Sequence, residues 1–460
     1  MAGANLITLS NILKEYYMGP VVEQLNKEVL LLSRLESRSE DLIGKRAYVP
    51  LQATRTGGIG ARAENATLPA AGNYSYEKAV YDLKYLYGKA SVTGPSMAKT
   101  KSEAGAFLQS LKSELDGLRL DLRKDLARQV YGDGTALIAG VASIAAASGG
   151  EQVITLDVSS SAGNIKGDGK EAINKGQLYV GMVVDVLNGS SAVVTNGGGL
   201  TISAVNAATP SITVTNLSAG AVTTTSTSAF QIVRSGVAQY TATESPSASN
   251  PGTYALSDEI DGLRRIVGGT DTSGTVAVTA ALGGITPTGS NSWWAPQTAT
   301  LEDTSANASG TYDLAFDDIQ KIINKVRVAG GMPTAMITSM GVHREFYNLF
   351  TNMITYNDPD QRGLDFGAGF RTLTYNGMPV VADIDAPYGH LFLLDESTLK
   401  VFSDQDFHFL DTDGQTLRQS GDKDAFEAVM VRYMNMGATR RNNQAVLANI
   451  AVDGGLDLGF

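Results

Sequence analysis

The sequence predicts an α+β chain: an extended β-hairpin arm, a long scaffold helix, an inserted β-domain and a closing mixed α/β domain. Three observations carry this reading. Phe107, Leu108, Leu111, Leu115, Leu118, Leu122, Leu126 and Val130 recur at three- and four-residue spacing, one continuous helical stripe. Apolar and charged residues alternate from 77 to 93, as on a strand with one covered face. From Val186 through Val233 no residue is charged, and β-branched residues alternate between Asn, Gly and Pro punctuation.

Composition bounds what such a chain can be. At 460 residues it is long enough for about three domains, or one with large insertions. The absence of cysteine excludes disulfide scaffolds, thiolate metal sites and thiol catalysis. Charged residues are 18% of the chain, against roughly 25% in ordinary soluble domains, which suggests surface given over to partners. Net charge is −11, and residues 301–460 hold most of it, with 12 basic and 22 acidic residues. Residues 51–95 are slightly basic, five against three. A general nucleic-acid binder would need a basic face, and none is visible. No secretion signal and no apolar run of about 18 residues is present, so a cytoplasmic product without membrane contact is expected.

Taken in order, residues 1–45 form an arm, with Leu25, Val29, Leu32 and Leu35 at helical spacing after a Gly19-Pro20 break. Residues 46–95 form the extended hairpin. Ala79, Tyr81, Leu83, Tyr85 and Tyr87 share one strand face, and Lys78, Asp82 and Lys84 the other. The tip between the strands is rich in Gly, Ala and Asn, and the whole arm should reach roughly 35–50 Å at ~3.3 Å per residue. A lone hairpin cannot cover an aromatic stripe, so either the chain's own core or a neighbouring subunit must cover it. We take Arg55, Gly57, Gly58, Gly60, Arg62, Tyr81, Tyr85 and Tyr87 as candidate subunit-interface residues.

Residues 96–148 hold the scaffold helix (102–131), stopped by Gly132-Asp133-Gly134; Gly117 within it suggests close approach of another element. Residues 149–236 read as an inserted β-barrel or sandwich. Residues 237–311 are a connecting segment, with a short helix at 258–267 and a Trp293-Trp294 pair expected to be partial core, an interface anchor being the alternative. Residues 312–420 carry alternating helices and strands, with turns at Asn376-Gly377 and Asp395-Glu396, and a mainly antiparallel sheet is expected. Residues 421–460 add two returning strands, 425–436 and 444–452.

Nothing in the sequence points to catalysis. His343, His390 and His408 have no metal-ligand spacing to other ligands. Asp411-Thr-Asp413-Gly414 starts like a calcium loop, but its glycine comes early and the closing glutamate is missing. Asp358-Pro-Asp360 reads as a turn. Gly58-x-Gly60-x-x-Ala63 has the look of a dinucleotide fingerprint without the following helix, so its glycines are assigned to bends of the arm tip. No catalytic, cofactor or metal residue is assigned.

This order of elements resembles the tailed-bacteriophage major capsid proteins, as do three short stretches: Asn376-Gly-Met-Pro-Val-Val-Ala-Asp383 running on to Asp385-Ala-Pro387-Tyr-Gly389 and Phe392-Leu-Leu-Asp395; Val328-Ala-Gly-Gly-Met-Pro333; and Gly181-Met-Val-Val-Asp185. The resemblance implies the phage major capsid fold. In it, 1–45 is the N-arm, 46–95 the extended loop and 102–131 the spine helix; 312–420 is the axial domain, and 421–460 returns to the peripheral domain. It further implies a virion shell subunit that forms hexamers and pentamers around double-stranded DNA, which it meets by non-specific contact. A separate scaffold protein and a portal protein would be partners, with a cement protein as a further one. Some relatives link a tip lysine covalently to a neighbour; residues 56–75 contain no lysine, so no such bond is expected. An encapsulin-like nanocompartment shell is the alternative, although encapsulins are usually shorter and lack such an insertion. A β-rich fibre or adhesin fits the long helix poorly.

Overall fold

The computed structural model describes residues 30–38, 42–93, 104–157, 169–187, 193–194, 196–215, 220–222, 230–236, 258–270, 276–277, 281–300, 313–351, 373–410, 418–419, 424–448 and 450–452. Its longest strand, Ala425–Ala438, runs through a six-stranded sheet. Along one edge of this strand Lys84–Thr93 pairs antiparallel over ten residues, from Thr93 opposite Ala425 to Lys84 opposite Met434. Along the other edge Leu399–Ser403, His408–Phe409 and Arg418–Gln419 take turns. Glu36–Arg38 adds a parallel strand beside Leu399–Ser403.

The long helix, Ala104–Val130, has 27 residues and is about 40 Å long at 1.5 Å per residue. It lies across this sheet with Leu122, Leu126 and Val130 buried, as the stripe requires. The close approach expected at Gly117 is found elsewhere. A Cβ on Gly117 would touch nothing within 4 Å, whereas one on Gly88 of the strand would lie 2.6 Å from Leu122 Cδ1 and 3.0 Å from Leu118 Cδ1. The missing side chain on the strand, not on the helix, lets the two layers meet.

The arm is shorter than the alternation suggests. Arg46–Gln52 pairs with Tyr76–Asp82 over seven residues, from Arg46 opposite Asp82 to Gln52 opposite Tyr76, about 23 Å of ladder. At Leu83 the chain leaves the arm and joins the long strand. Period-two alternation marks a strand without naming its partner, so one continuous pattern served two sheets. The base of the arm also rests on the chain's own core: Ala47, Val49, Leu51, Ala79 and Tyr81 are buried, and Val80 N donates to Gly283 O at 3.0 Å.

The inserted β-domain is a closed six-stranded barrel. Its circular order is Ser211–Thr215, Gln152–Leu156, Leu137–Ile144, Phe230–Arg234, Val183–Leu187 and Leu200–Asn206. The first of these strands in the chain starts at Leu137, before the predicted 149. Its short apolar run directly after Gly134 reads equally well as a continuation of the preceding unit. Ile138, Ile154, Val184, Leu200, Ile212 and Ile232 fill the barrel. Gln152 is buried there and satisfied on both sides: its Nε2 donates to Ala145 O and Val222 O, and its Oε1 accepts from Val222 N.

A second six-stranded sheet runs Gln297–Thr300, Ala445–Ala448, Leu391–Leu394, Ala335–Thr338, Met378–Ala382 and Leu373–Tyr375. Two of its five pairings are parallel, so it is mixed. Helices Phe316–Val328 and Met340–Thr351 cover one face through Ile319, Ile322, Ile323, Val326, Val342 and Phe346. Two assignments change here. Leu399–Ser403 belongs to the first sheet, and Ala445–Ala448 to this one, so the two returning strands do not pair with each other. The turn at Asn376-Gly377 is as expected, with both residues at positive φ (51° and 80°), the requirement of a tight two-residue hairpin.

Three smaller expectations resolve as follows. The helix predicted at 258–267 is confined to Leu263–Val267. A Cβ on Gly262 would sit 2.3 Å from Gln129 O and 2.4 Å from Gly132 O, so this chain segment presses backbone to backbone on the end of the long helix. Trp294 is core, its Nε1 donating to Leu282 O at 3.2 Å, and Trp293 is partly buried against it. Of the N-terminal arm, Leu30–Arg34 is helical with Leu31 buried; residues 1–29 lie outside the described residues, as do Asp358-Pro-Asp360 and 411–414.

Two substitutions test this packing by urea denaturation of the purified chain. Gly117→Ala, with space around it and a helix gain of about 1 kcal/mol, raises the midpoint. Gly262→Ala lowers stability by at least ~2 kcal/mol, because backbone must move to admit the methyl.

Candidate assembly surface

The arm continues past its ladder into an irregular tip, residues 53–75, that is exposed along most of its length. Ala53 N donates to Ser75 O (2.9 Å), and the Thr54 and Ser75 hydroxyls meet at 2.8 Å, closing the strands. Beyond them the two limbs run close together: a Cβ on Gly72 would lie 2.6 Å from Gly57 N, and one on Gly58 3.1 Å from Gly72 N. None of Gly57, Gly58 and Gly60 takes a positive φ. Glycine serves here for close approach at 58 and 72 and not for the bends expected from the sequence; the left-handed position of the tip is Asn65, at φ 67°.

Arg62 folds back on the tip, its Nε donating to Thr67 O (3.2 Å) and its Nη1 to Ala61 O (3.3 Å). Arg55 stands exposed at the tip's root. The most telling feature is apolar: Ile59 is 79% exposed and Leu68 80% exposed on the same tip. Burying a side chain of this size is worth roughly 1.5–3 kcal/mol, so any surface that covered these two would gain from it.

The tyrosines separate into two environments. Tyr81 is 1% exposed, stacks on Phe402 (5.2 Å between rings), and its hydroxyl donates to Ala438 O at 2.8 Å while accepting from Ala438 N at 3.2 Å. Burial pushes its pKa well above the usual value. Tyr81 is therefore a core residue, which corrects its assignment as an interface residue. Tyr85 and Tyr87, past the break at Leu83, point to the opposite face of the long-strand sheet, 48% and 59% exposed. There they meet Tyr433 edge-on at 5.3 and 6.3 Å, and His408 meets the same ring at 6.4 Å. Tyr433 and His408 extend the patch beyond what the sequence suggested. Tyr433 lies 348 residues from Tyr85, and no local pattern announces that pairing.

No protein-family model matches the sequence, and no curated protein is detectably similar to it. Among solved structures, a chain of the cyanophage A-1(L) capsid asymmetric unit superimposes with a TM-score of 0.57 at 13% identity, covering 97% of this chain and 99% of that one. The fold is that of a phage capsid subunit. The capsid of a native GTA particle (TM-score 0.47, 9% identity, 98% and 100% covered) and the holo-SrpI encapsulin of Synechococcus elongatus (0.44, 8%, 98% and 98%) are more distant and carry no part of the argument.

Other sites on this phage capsid fold offer structural chemistry. Among the described residues no group of three or more His, Asp or Glu is placed to hold a metal ion, and no helix is long and apolar enough to cross a membrane. Arg128, at the end of the long helix, is buried between Asp125 and Glu259, with Arg234 of the barrel 3.6 Å from Asp125. Burial pushes Glu259 up, and Arg128 offsets this in part. At Asp125 the same burial is outweighed by Arg128, Arg234 and Gln129, and the carboxyl falls below its usual range.

The two tyrosine environments give a direct test. Tyr81→Phe strands the Ala438 backbone groups and lowers folding stability by about 1–3 kcal/mol in urea titration. Tyr85→Ser and Tyr87→Ser, which give up only half-exposed edge contacts with Tyr433, cost no more than about 1 kcal/mol each.

Proposed function

We propose that the chain is a shell-forming structural subunit, the major capsid protein of a tailed bacteriophage. It assembles as hexamers and pentamers into an icosahedral head around double-stranded DNA. The observation that carries this reading is the pairing of a capsid-subunit fold over 97% of the chain with an arm tip whose Ile59 and Leu68 no described residue covers. A neighbouring subunit supplies that cover. Arg55 and Arg62 on the tip, with Lys78 on the ladder and Lys84 just past it in the long-strand sheet, match the acidity concentrated in residues 301–460 of the next copy.

In this reading the 1–45 segment is the N-arm, 46–95 the extended loop, 312–420 the axial domain, and the long-strand sheet the peripheral domain. Scaffold, portal and cement proteins are its assembly partners, and DNA meets the inner face by non-specific contact. The chain has no catalytic task. Its place is the virion, after assembly in the host cytoplasm.

Electron microscopy of the expressed protein, alone and with its phage's scaffold, tests the proposal: closed heads of a size to hold a phage genome support it. Small empty shells favour the nanocompartment alternative, and fibres or monomers under all conditions overturn both. Deleting 57–73 abolishes shells while leaving soluble subunit; normal shells from that deletion would sink the role of the tip. With no lysine in 56–75, denaturing gels of mature particles show one band near 48.4 kDa, and bands at its multiples would refute a shell without covalent links.

A further inference from the structure

The barrel and the mixed sheet are separately packed bodies that meet at a buried cation. The residues filling the barrel, from Ile138 to Ile232, form a cluster that shares no member with the core of either sheet. Lys175 follows the short helix Gly169–Asn174, and its side chain is 1% exposed. Its Nζ pairs with Glu171 at 2.5 Å, donates to Ala386 O at 2.7 Å, and lies 4.7 Å over the Tyr388 ring. Glu171 belongs to the barrel's helix, whereas Ala386 and Tyr388 belong to the 383–390 loop of the mixed sheet.

Each half of this contact is held by its own body. On the barrel side, Ala172 is buried in the barrel core, and the Lys175 amide donates to Glu171 O at 2.9 Å. A Cβ on Gly169 would lie 2.1 Å from Leu156 Cβ, so the helix start is pressed against a barrel strand. On the other side, Ala386 is part of the core shared by the two sheets, and Asp383 N donates to Thr338 O at 2.9 Å. The Tyr131 hydroxyl donates to Asp383 at 2.6 Å, and Ile450 N donates to Gly389 O at 3.1 Å. The loop is thus a socket built from contacts outside the barrel.

The charges are distributed so that the halves can part. An ion pair split between two bodies would leave an uncompensated charge in each on separation. Here cation and carboxylate leave together on the barrel, and the socket keeps only a neutral carbonyl and a ring face. The chain joining the bodies bends at glycine: Gly134 (φ 78°) before the first barrel strand and Gly236 (φ 79°) after the last. Beside this neck Arg234 lies 3.6 Å from Asp125 with 36% of its side chain exposed, a weaker tie than that of Lys175.

We propose that Lys175 is a releasable latch: the barrel undocks from the mixed sheet as a rigid unit when Nζ leaves Ala386 O, turning about the neck at Gly134 and Gly236. The latch is a property of the single subunit, whatever that subunit assembles into.

The chain has no cysteine, so a pair of spin labels reads the barrel's position without background. Ala207→Cys places one label on an exposed barrel turn, and Val328→Cys places the other on the mixed-sheet body, where Val328 is 89% exposed. Labelled full-length chain, diluted with unlabelled chain, gives one narrow distance distribution by pulsed electron paramagnetic resonance. Lys175→Met keeps the apolar stem but leaves Glu171 and Ala386 O without their donor. It raises the undocked population by at least about tenfold, seen as a second, broad distance component. Amides of Ser211–Thr215 and Leu391–Leu394 keep their hydrogen-exchange protection, because neither body unfolds. Tyr388→Leu removes the ring from the socket side; it acts in the same direction and serves should the first variant fold poorly. A distance distribution unchanged in both variants, or release accompanied by lost protection in either strand, would overturn the proposal.

Discussion

The rest of the molecule depends on the hydrogen-bond ladder of Ala425–Ala438. Fourteen buried or half-buried residues in extended conformation present donors and acceptors on both edges, and each group left unpaired inside the protein costs free energy. Lys84–Thr93 satisfies one edge along ten residues. The other edge is satisfied in relay by three shorter strands. This requirement sets the length of the arm, because the residues that could have prolonged it are held in the sheet. It also sets the site of helix packing: the ladder fixes Gly88 under Leu118 and Leu122, and the long helix settles onto that gap.

From the end of the long strand the chain must cross to the second sheet without leaving polar groups stranded. Ala438 is received by the Tyr81 hydroxyl, which bonds both its carbonyl and its amide. Three residues on, Arg441 is fully buried and donates to Ile266 O and Arg265 O. Burial lowers its pKa to about 10, which leaves it charged at neutral pH. Asn443 and Gln444 then tie the crossing to Asp395 and Thr398, at the turn where the neighbouring strand crosses the opposite way. Both sheets exchange a strand at this seam, so the two domains share a single core running from Leu31 to Ala448.

What was legible in the sequence was whatever local periodicity encodes. The stripe from Leu115 to Val130 gave the long helix, and the Thr/Val alternation of Leu200–Asn206 and Ser211–Thr215 gave strands of a small β-unit. Asn376-Gly377 gave its turn, because only a few residue types accept positive φ. Pairing partners were not legible. Nothing local distinguishes Leu399–Ser403 in one sheet from Leu391–Leu394 in the other, since both are buried on both faces. The stripe of tyrosines was legible as a stripe, yet at Leu83, whose amide still bonds Lys45 O, the chain passes from one sheet to the other and the stripe from buried to exposed. At the tip, the basic and glycine residues were visible in the sequence, whereas the exposure of Ile59 and Leu68 depends on the fold, which places no described residue over them.

Part of the low charge content has a cause within the fold itself. A solvent-facing strand in an open sheet needs charge to keep its edge from pairing with other chains. The barrel has no edge: its six strands close on themselves, and the ring of pairings is complete. Its wall can therefore be built from Thr, Ser and Val without that protection, which is where the uncharged stretch from Val186 to Val233 lies. The barrel explains part of the scarcity; outside that stretch charged residues are still only about 20% of the chain, below the roughly 25% of ordinary soluble domains. The argument for assembly rests on a much smaller area, the two aliphatic side chains of the arm tip. They stand exposed on a tip that begins where the ladder ends, at Gln52 and Tyr76.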